Sequence, residues 1–217
     1  MKLEEMGAFF EARLDGYEAY MLKNIQSAEE FYPFTAIQLP EAPGANILDL
    51  GCGTGLELDC YFRRNPTARV TGIDLSKGML AVLREKYPEK ALELIWGSYF
   101  DVSFGEEIFD AAVSVESLHH FTMEEKIPLY AKLHKALKPG GCFILTDYFS
   151  LSDEEESAHA AELLRLKAEQ GIRGSGYYHY DTPLTVDHET EALRKAGFVS
   201  VELLDNWGAT FTLKAKV

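Results

Sequence analysis

The stretch Ile47-Leu48-Asp49-Leu50-Gly51-Cys52-Gly53-Thr54-Gly55 constrains this chain more than any other. A short apolar strand runs straight into a turn with glycines at 51, 53 and 55, and a helical pattern follows from Leu56. Glycine permits positive φ and lets a ligand approach the backbone closely. A dinucleotide fingerprint would need its third glycine at 56, where this chain has Leu56, and the pyrophosphate reading weakens accordingly. The next acid at a strand end is Asp74 in TGIDLS, 23 positions after Gly51. A carboxylate there can accept hydrogen bonds from both hydroxyls of an adenosine ribose.

From Asn46 onward, β-branched stretches alternate with segments of helical period, which predicts a largely parallel sheet with crossover helices on both faces. Strands are expected at 46–50, 68–74, 92–97, 109–115, 141–148, 198–204 and 210–216. Helices are expected at 56–64, 76–86, 124–137 and 186–196, with Ser76 and Thr122 as N-caps and KPGG at 138–141 as a stop. The last two strands have only a few residues around Trp207 and Gly208 between them, so the sheet should close with an antiparallel hairpin. Two regions stand outside the alternation. Residues 1–40 carry Phe9, Phe10, Tyr17, Tyr20, Met21, Phe31, Tyr32 and Phe34 on what read as two helices, a helical cap whose aromatics pack a core. Residues 151–184 add a helix and the loop GIRGSGYYHYDTP, whose Gly171, Gly174 and Gly176 beside Tyr177, Tyr178 and Tyr180 suit a lid over a ligand. The expected organisation is one domain: cap 1–40, core 41–150, lid insertion 151–184, and a C-terminal helix and hairpin at 185–217.

With 47% hydrophobic residues the chain can bury a sizeable core, and with 21 basic against 35 acidic side chains its formal charge is -14. Such a surface lacks the basic footprint of a nucleic-acid binder, so no nucleic-acid partner is expected. No segment approaches the roughly 18 apolar residues of a membrane span, and the start lacks signal-peptide character, which predicts no membrane association and a cytoplasmic protein. Cys52, Cys60 and Cys142 show no CxxC spacing and read as small core residues.

On Asp49-Leu50-Gly51-Cys52-Gly53-Thr54-Gly55 and the second-strand acid Asp74, the sequence resembles the small-molecule branch of the class I S-adenosylmethionine-dependent methyltransferases. DAAVSVESLHHF (110–121) and ALKPGGCFILTDY (136–148) are similar to that family's fourth- and fifth-strand segments, so the resemblance spans roughly Asn46 to Tyr148. It implies a Rossmann-like α/β fold with a seven-stranded, mostly parallel sheet and a reversed last strand, and S-adenosyl-L-methionine as cofactor. The implied cofactor contacts are Gly51 and Gly53 under the methionine part, Asp49 near its ammonium, Asp74 on the ribose, and Ser98 and Tyr99 near adenine, with Cys52, Leu75, Met79 and Val115 completing the pocket. Many relatives carry an acid where this chain has Ser98, so the adenine amino contact falls to Ser98, to backbone or to Asp101.

Methyl transfer from a sulfonium needs alignment in a dry pocket, and a base only when the acceptor carries a proton of high pKa. Candidates for that base are His120, Glu116 and His179, with His119, Asp147 and Tyr148 also at strand ends. A metal is not expected: two adjacent histidines should point in different directions, and no HxxxH spacing supports one. Ser114-Val115-Glu116-Ser117 differs from the Asn-Pro-Pro-Tyr signature of amide and nucleobase methylation, which with the charge of -14 points to a small-molecule acceptor. The reading is a methyltransferase acting on an unidentified oxygen, nitrogen or carbon. A non-catalytic S-adenosylmethionine-binding sensor or interaction protein is the alternative, and a nicotinamide-dependent oxidoreductase ranks below it. No residue settles the oligomeric state, and a homodimer stays open.

Overall fold

A computed structural model describes residues 1–174 and 176–217. Seven strands form one sheet: β1 (Asn46–Leu50), β2 (Arg69–Asp74), β3 (Ala91–Trp96), β4 (Phe109–Val115), β5 (Leu137–Tyr148), β6 (Ser200–Trp207) and β7 (Thr210–Lys216). Their order is β3-β2-β1-β4-β5-β7-β6, with β7 antiparallel to both neighbours and the other pairs parallel. This is the expected sheet with its reversed last strand.

Alternation along the strands divides the core into two layers. Leu48 and Leu50 of β1 join Phe143 and Leu145 of β5 on the face covered by α6 (Met123–Ala136) and α8 (Val186–Lys195). Ile47 and Ile144 face α3 (Ala28–Gln38), α4 (Leu56–Arg64) and α5 (Lys77–Lys86), where Phe31, Tyr61 and Leu83 fill the space. The helix starts follow the cap residues. The Ser76 side chain accepts from Met79 N–H at the head of α5, and Thr122 with Glu125 forms a capping box on α6.

Three sequence expectations need correction. The first 40 residues form three helices, because left-handed residues at Gly16 and Ser27 separate α1 (Met6–Glu11), α2 (Tyr17–Asn24) and α3. The KPGG segment does not lie between helix and strand: β5 begins at Leu137, opposite Phe109, and its register with β4 slips before Ala111 pairs with Cys142. At the other end, β6 starts at Ser200 and runs on to Trp207.

The insertion contributes α7 (Asp153–Glu169) and a return segment. That segment is tied to the N-terminus: Met6 N–H donates to Tyr177 O at 3.0 Å and His179 N–H to Glu4 O at 3.0 Å. Reversal of β7 has a direct consequence for the carboxyl edge of the sheet. Thr210, its first residue, pairs with Tyr148, the last of β5, so the hairpin turn lies beside the ends of the parallel strands. Among the described residues, no helix is long and apolar enough to cross a membrane.

Candidate active site

The glycine turn leaves β1 with positive φ at Gly51 (73°), Gly53 (47°) and Gly55 (74°), but the three positions serve different ends. A Cβ on Gly51 would overlap the Ser117 side chain, and one on Gly55 would overlap Leu83, so both make room for protein. A Cβ on Gly53 would meet nothing closer than Tyr17 Cε1 at 4.0 Å, leaving that face open. Asp74 anchors the turn. One carboxylate oxygen accepts from Gly53 N–H at 2.9 Å and the other from Ser76 N–H at 2.8 Å. Each oxygen keeps a free lone pair.

Against this turn lies a narrow cavity of about 50 Å³, walled by Gly51, Gly53, Asp74 and Leu75, and closed by Met79, Tyr99 and Val115. Three expected contacts are absent from its wall. Cys52 is buried, and its sulfur lies beside Gly72. Ser98 is also buried, its hydroxyl accepting from Phe100 N–H at 3.2 Å. Asp49 shares the Ile47 side of β1 and faces Glu57 of α4 as a buried carboxyl pair. Sequence reasoning passed over Met6, Phe10 and Tyr17 of the cap, which lie across the same cavity. Their only signal was an aromatic-rich stretch, which reads equally well as core.

A larger cavity of about 820 Å³ adjoins the first, between the cap helices and the 177–181 segment. Phe10, Tyr17, Glu116 and His120 line both. Of the expected base candidates, Glu116, His120 and His179 all reach this larger space, together with His119 and Tyr148. The lid tyrosines do not. Tyr177 stacks on Phe100, and Tyr178 and Tyr180 pack with Leu3, Leu163 and Leu166. The side chains that this segment supplies to the cavity are His179, stacked on Phe9 at 3.5 Å, and Asp181. Apolar area drew Tyr178 and Tyr180 into the small core under α7 and Tyr177 onto Phe100, leaving the polar residues to face the cavity.

Charge is concentrated at the junction. Glu116 follows β4 with φ 50°, a left-handed conformation uncommon for a non-glycine residue and frequent at functional sites. Its carboxylate accepts from Thr210 Oγ1 at 3.2 Å. Burial pushes its pKa up to about 7, against the opposing pull of a positive His119. His119 Nδ1 lies 2.5 Å from Asp147 Oδ1, while Asp147 Oδ2 accepts from Leu118 N–H at 2.8 Å. Burial works against charge on His119, but Asp147 and Asp181 outweigh it and raise its pKa to about 9. His120 is the opposite case: burial and the neighbouring His119 lower it to about 4, so it is neutral, and its Nδ1 donates to Tyr180 O at 3.2 Å and lies 3.1 Å from Asp181 Oδ1. The two imidazoles do not diverge as adjacent histidines were expected to. A 3₁₀ turn at Leu118–His120 holds their centroids 4.0 Å apart, both with a nitrogen toward Asp181.

The residues around the glycine turn fit S-adenosylmethionine. Asp49, Glu57, Asp74 and Glu116 gather around the turn, and burial raises the pKa of each, so the negative field they give when ionised is stabilised by an added cation. Asp49 Oδ2 is buried with no hydrogen-bond partner among the described residues. A sulfonium with one ammonium and one carboxylate carries the net cation that this field favours, and Gly53 leaves its backbone open to it.

Residues 47–141 match the family model described as a methyltransferase domain. The chain is 30% identical over 177 residues to the O-methyltransferase cnsE of Penicillium expansum, covering 78% of this chain and 57% of the relative. It is also 30% identical over 185 residues to the erythromycin 3''-O-methyltransferase of Saccharopolyspora erythraea, with 81% and 58% covered. The chain thus spans less than three fifths of the length of these curated relatives. A crystal structure from Nostoc punctiforme, of a protein ascribed to the O-methyltransferases, superposes with a TM-score of 0.74 at 21% identity, covering 99% of this chain and 62% of that one. This last likeness bears on the fold.

Proposed function

Since the chain belongs to the class I S-adenosylmethionine-dependent methyltransferases, we propose that it methylates a hydroxyl oxygen of a small molecule held in the larger cavity. One observation carries this reading: a narrow cavity on the glycine turn and a roomy one under the cap share Glu116 and His120 as a common wall. When bound, S-adenosylmethionine supplies an electrophilic methyl group on a sulfonium. Gly53 offers it an open backbone face, Asp74 a carboxylate already oriented by two N–H donors, and Tyr99 and Met79 an apolar wall.

Glu116 is the proposed proton acceptor. It borders both cavities, and a pKa near 7 leaves it ionised in part at neutral pH while still basic enough to take a proton from a hydroxyl approaching the methyl group. His119, kept positive by Asp147, places a cation where negative charge develops on the acceptor oxygen. His120 is neutral and donates to Tyr180 O with Asp181 alongside, which fixes its ring as a wall between the two spaces. Phe10 and Tyr17 shield the junction from water. Acceptor size follows from the cavity, whose volume suits a drug-sized molecule, and the aromatic rings of Tyr20 and Trp207 in its wall favour an apolar body. The O-methyltransferase relatives support oxygen as the atom methylated.

The test has two arms. Thermal shift with S-adenosylmethionine, S-adenosylhomocysteine and NAD should show stabilisation by the first two alone. Release of S-adenosylhomocysteine over a panel of hydroxylated metabolites should then identify the acceptor. Binding without turnover on any hydroxyl, amine or carbon acceptor would leave a cofactor-binding protein in place of the enzyme.

A further inference from the structure

The cluster beneath the larger cavity holds more than the proton transfer above requires. His119 Nε2 lies 3.6 Å from Asp181 Oδ1, and His120 Nδ1 lies 3.1 Å from the same oxygen. One ligand atom from each of the three residues falls within 4.8 Å of the others. Ligands at about 2.1 Å from a tetrahedral centre stand about 3.4 Å from one another, and the two separations to Asp181 are close to that. Two imidazoles and one carboxylate form a donor set suited to divalent first-row transition ions.

The surroundings match a metal site more closely than a chance cluster would. Asp147 holds His119 by Nδ1, and is itself held by Leu118 N–H, so Nε2 is left as the ring's free nitrogen. A carboxylate on the far nitrogen is the usual outer support of a metal-binding histidine. Thr182 N–H donates to His119 O at 2.7 Å, which fixes the backbone next to Asp181 against the histidine turn. The side chains of His119 and His120 are 9% and 3% exposed, whereas that of Asp181 is 44% exposed, so the cluster is rigid on the protein side and open on the other. All three residues border the 820 Å³ cavity, so that coordination positions not filled by protein would face the acceptor.

We propose that His119, His120 and Asp181 form a binding site for a divalent transition-metal ion at the floor of the acceptor cavity. The ion takes the place of the protons that now lie between His119 and Asp181 and on His120 Nδ1, so that His120 gives up its bond to Tyr180 O, carries its proton on Nε2 and presents Nδ1 as a ligand. Its part in the reaction, polarising an acceptor oxygen and lowering the pKa of that hydroxyl, rests on the methyl-transfer reading; the existence of the site does not.

Cobalt(II) is the probe, added to metal-free protein without a histidine tag and followed by its visible d–d absorption. One equivalent should give bands stronger than those of the aqueous ion. Asp181→Asn and His120→Gln should each weaken binding at least tenfold, while His188→Gln, at the half-buried start of α8 beside Glu156, should leave the titration unchanged. Asp181 is partly exposed, so its replacement tests the site without emptying a core. Absence of bands above those of the aqueous ion overturns the proposal, as does a titration that neither site variant alters. Calorimetry with S-adenosylhomocysteine on the same metal-free protein reads the cofactor site separately: binding there with no cobalt spectrum removes the metal alone, and a cobalt spectrum without cofactor binding removes the methyl-transfer reading alone.

Discussion

Gly53→Ala separates the cofactor cradle from the turn that carries it. At φ 47° an added Cβ costs about 1–2 kcal/mol of backbone strain. About 0.4–1 kcal/mol of that is offset by the reduced freedom of the unfolded chain. No protein atom lies closer to the new Cβ than Tyr17 Cε1 at 4.0 Å, so no clash adds to the cost. The net loss of about 1 kcal/mol corresponds to a fall in Tm of about 2–4 °C for a chain of this size. The methyl group protrudes into the narrow cavity, where overfilling a tight site costs about 1–3 kcal/mol, or about 5- to 150-fold in affinity. Gly55→Ala should show the reverse balance, because its Cβ would run into Leu83 and Leu58 and not into the cavity. Differential scanning fluorimetry and calorimetry with S-adenosylhomocysteine measure the two effects independently. A folded Gly53→Ala protein that binds within twofold of the parent would refute the placement of the cofactor on this face.

Asp74→Ala should weaken S-adenosylhomocysteine binding by about 1.5–3 kcal/mol, since it removes a charged acceptor and frees the N–H groups of Gly53 and Ser76; unchanged calorimetric affinity takes Asp74 out of the site. Ser98→Ala should leave that affinity within twofold, because its hydroxyl is spent on Phe100 N–H behind the wall, and a tenfold loss would place it back in the pocket. Glu116→Gln should lower turnover by about 10²-fold or more and abolish the rise in rate as pH passes about 7, with cofactor affinity kept within a few fold; a parallel pH profile in the variant removes Glu116 as proton acceptor. Glu57 is a carboxyl whose burial raises its pKa from 4.5 in the unfolded chain to about 7 in the fold, so between those values the unfolded state releases a proton that the folded state keeps. Stability of the cofactor-free protein should therefore fall as pH rises from 4.5 to 7, and because burial raises Asp49, Asp74 and Glu116 as well, Glu57→Gln should reduce that fall without abolishing it in urea titrations at pH 5, 6.5 and 8; an undiminished fall removes Glu57 as a contributor.

Local pattern carried most of the fold. Strands β1, β4 and β7 and helix α4 have the bounds that alternation and period predict, since each is buried on a face that its own sequence marks as apolar. The misplacements occur where the deciding contact is distant in sequence. Ser27 takes a left-handed conformation without being glycine, and no residue type announces the break between α2 and α3. Leu137 extends β5 because Phe109 lies opposite, a pairing invisible within KPGG. The tyrosines after α7 were expected to face a ligand, yet Tyr178 and Tyr180 pack with Leu3 from the other end of the chain, and the segment lines the larger cavity with His179 and Asp181.

The candidate site divides along the same line. Gly51, Gly53 and Asp74 are legible because turn chemistry and a strand-end carboxylate act within one βαβ unit. Asp181 was not, although it meets both histidines, because its role depends on a return segment pinned by Glu4, Met6 and His119 backbone groups. Thr210 likewise reaches Glu116 only because β7 runs backwards and delivers its first residue to the carboxyl edge of the sheet. The glycine turn and Asp74 thus come from consecutive elements, whereas the larger cavity is walled by the N-terminal helices, the insertion and the β6–β7 turn. On the proposed function, substitutions in the cap, in 177–181 or at the hairpin turn should therefore change the acceptor accommodated while the glycine turn and Asp74 keep their geometry.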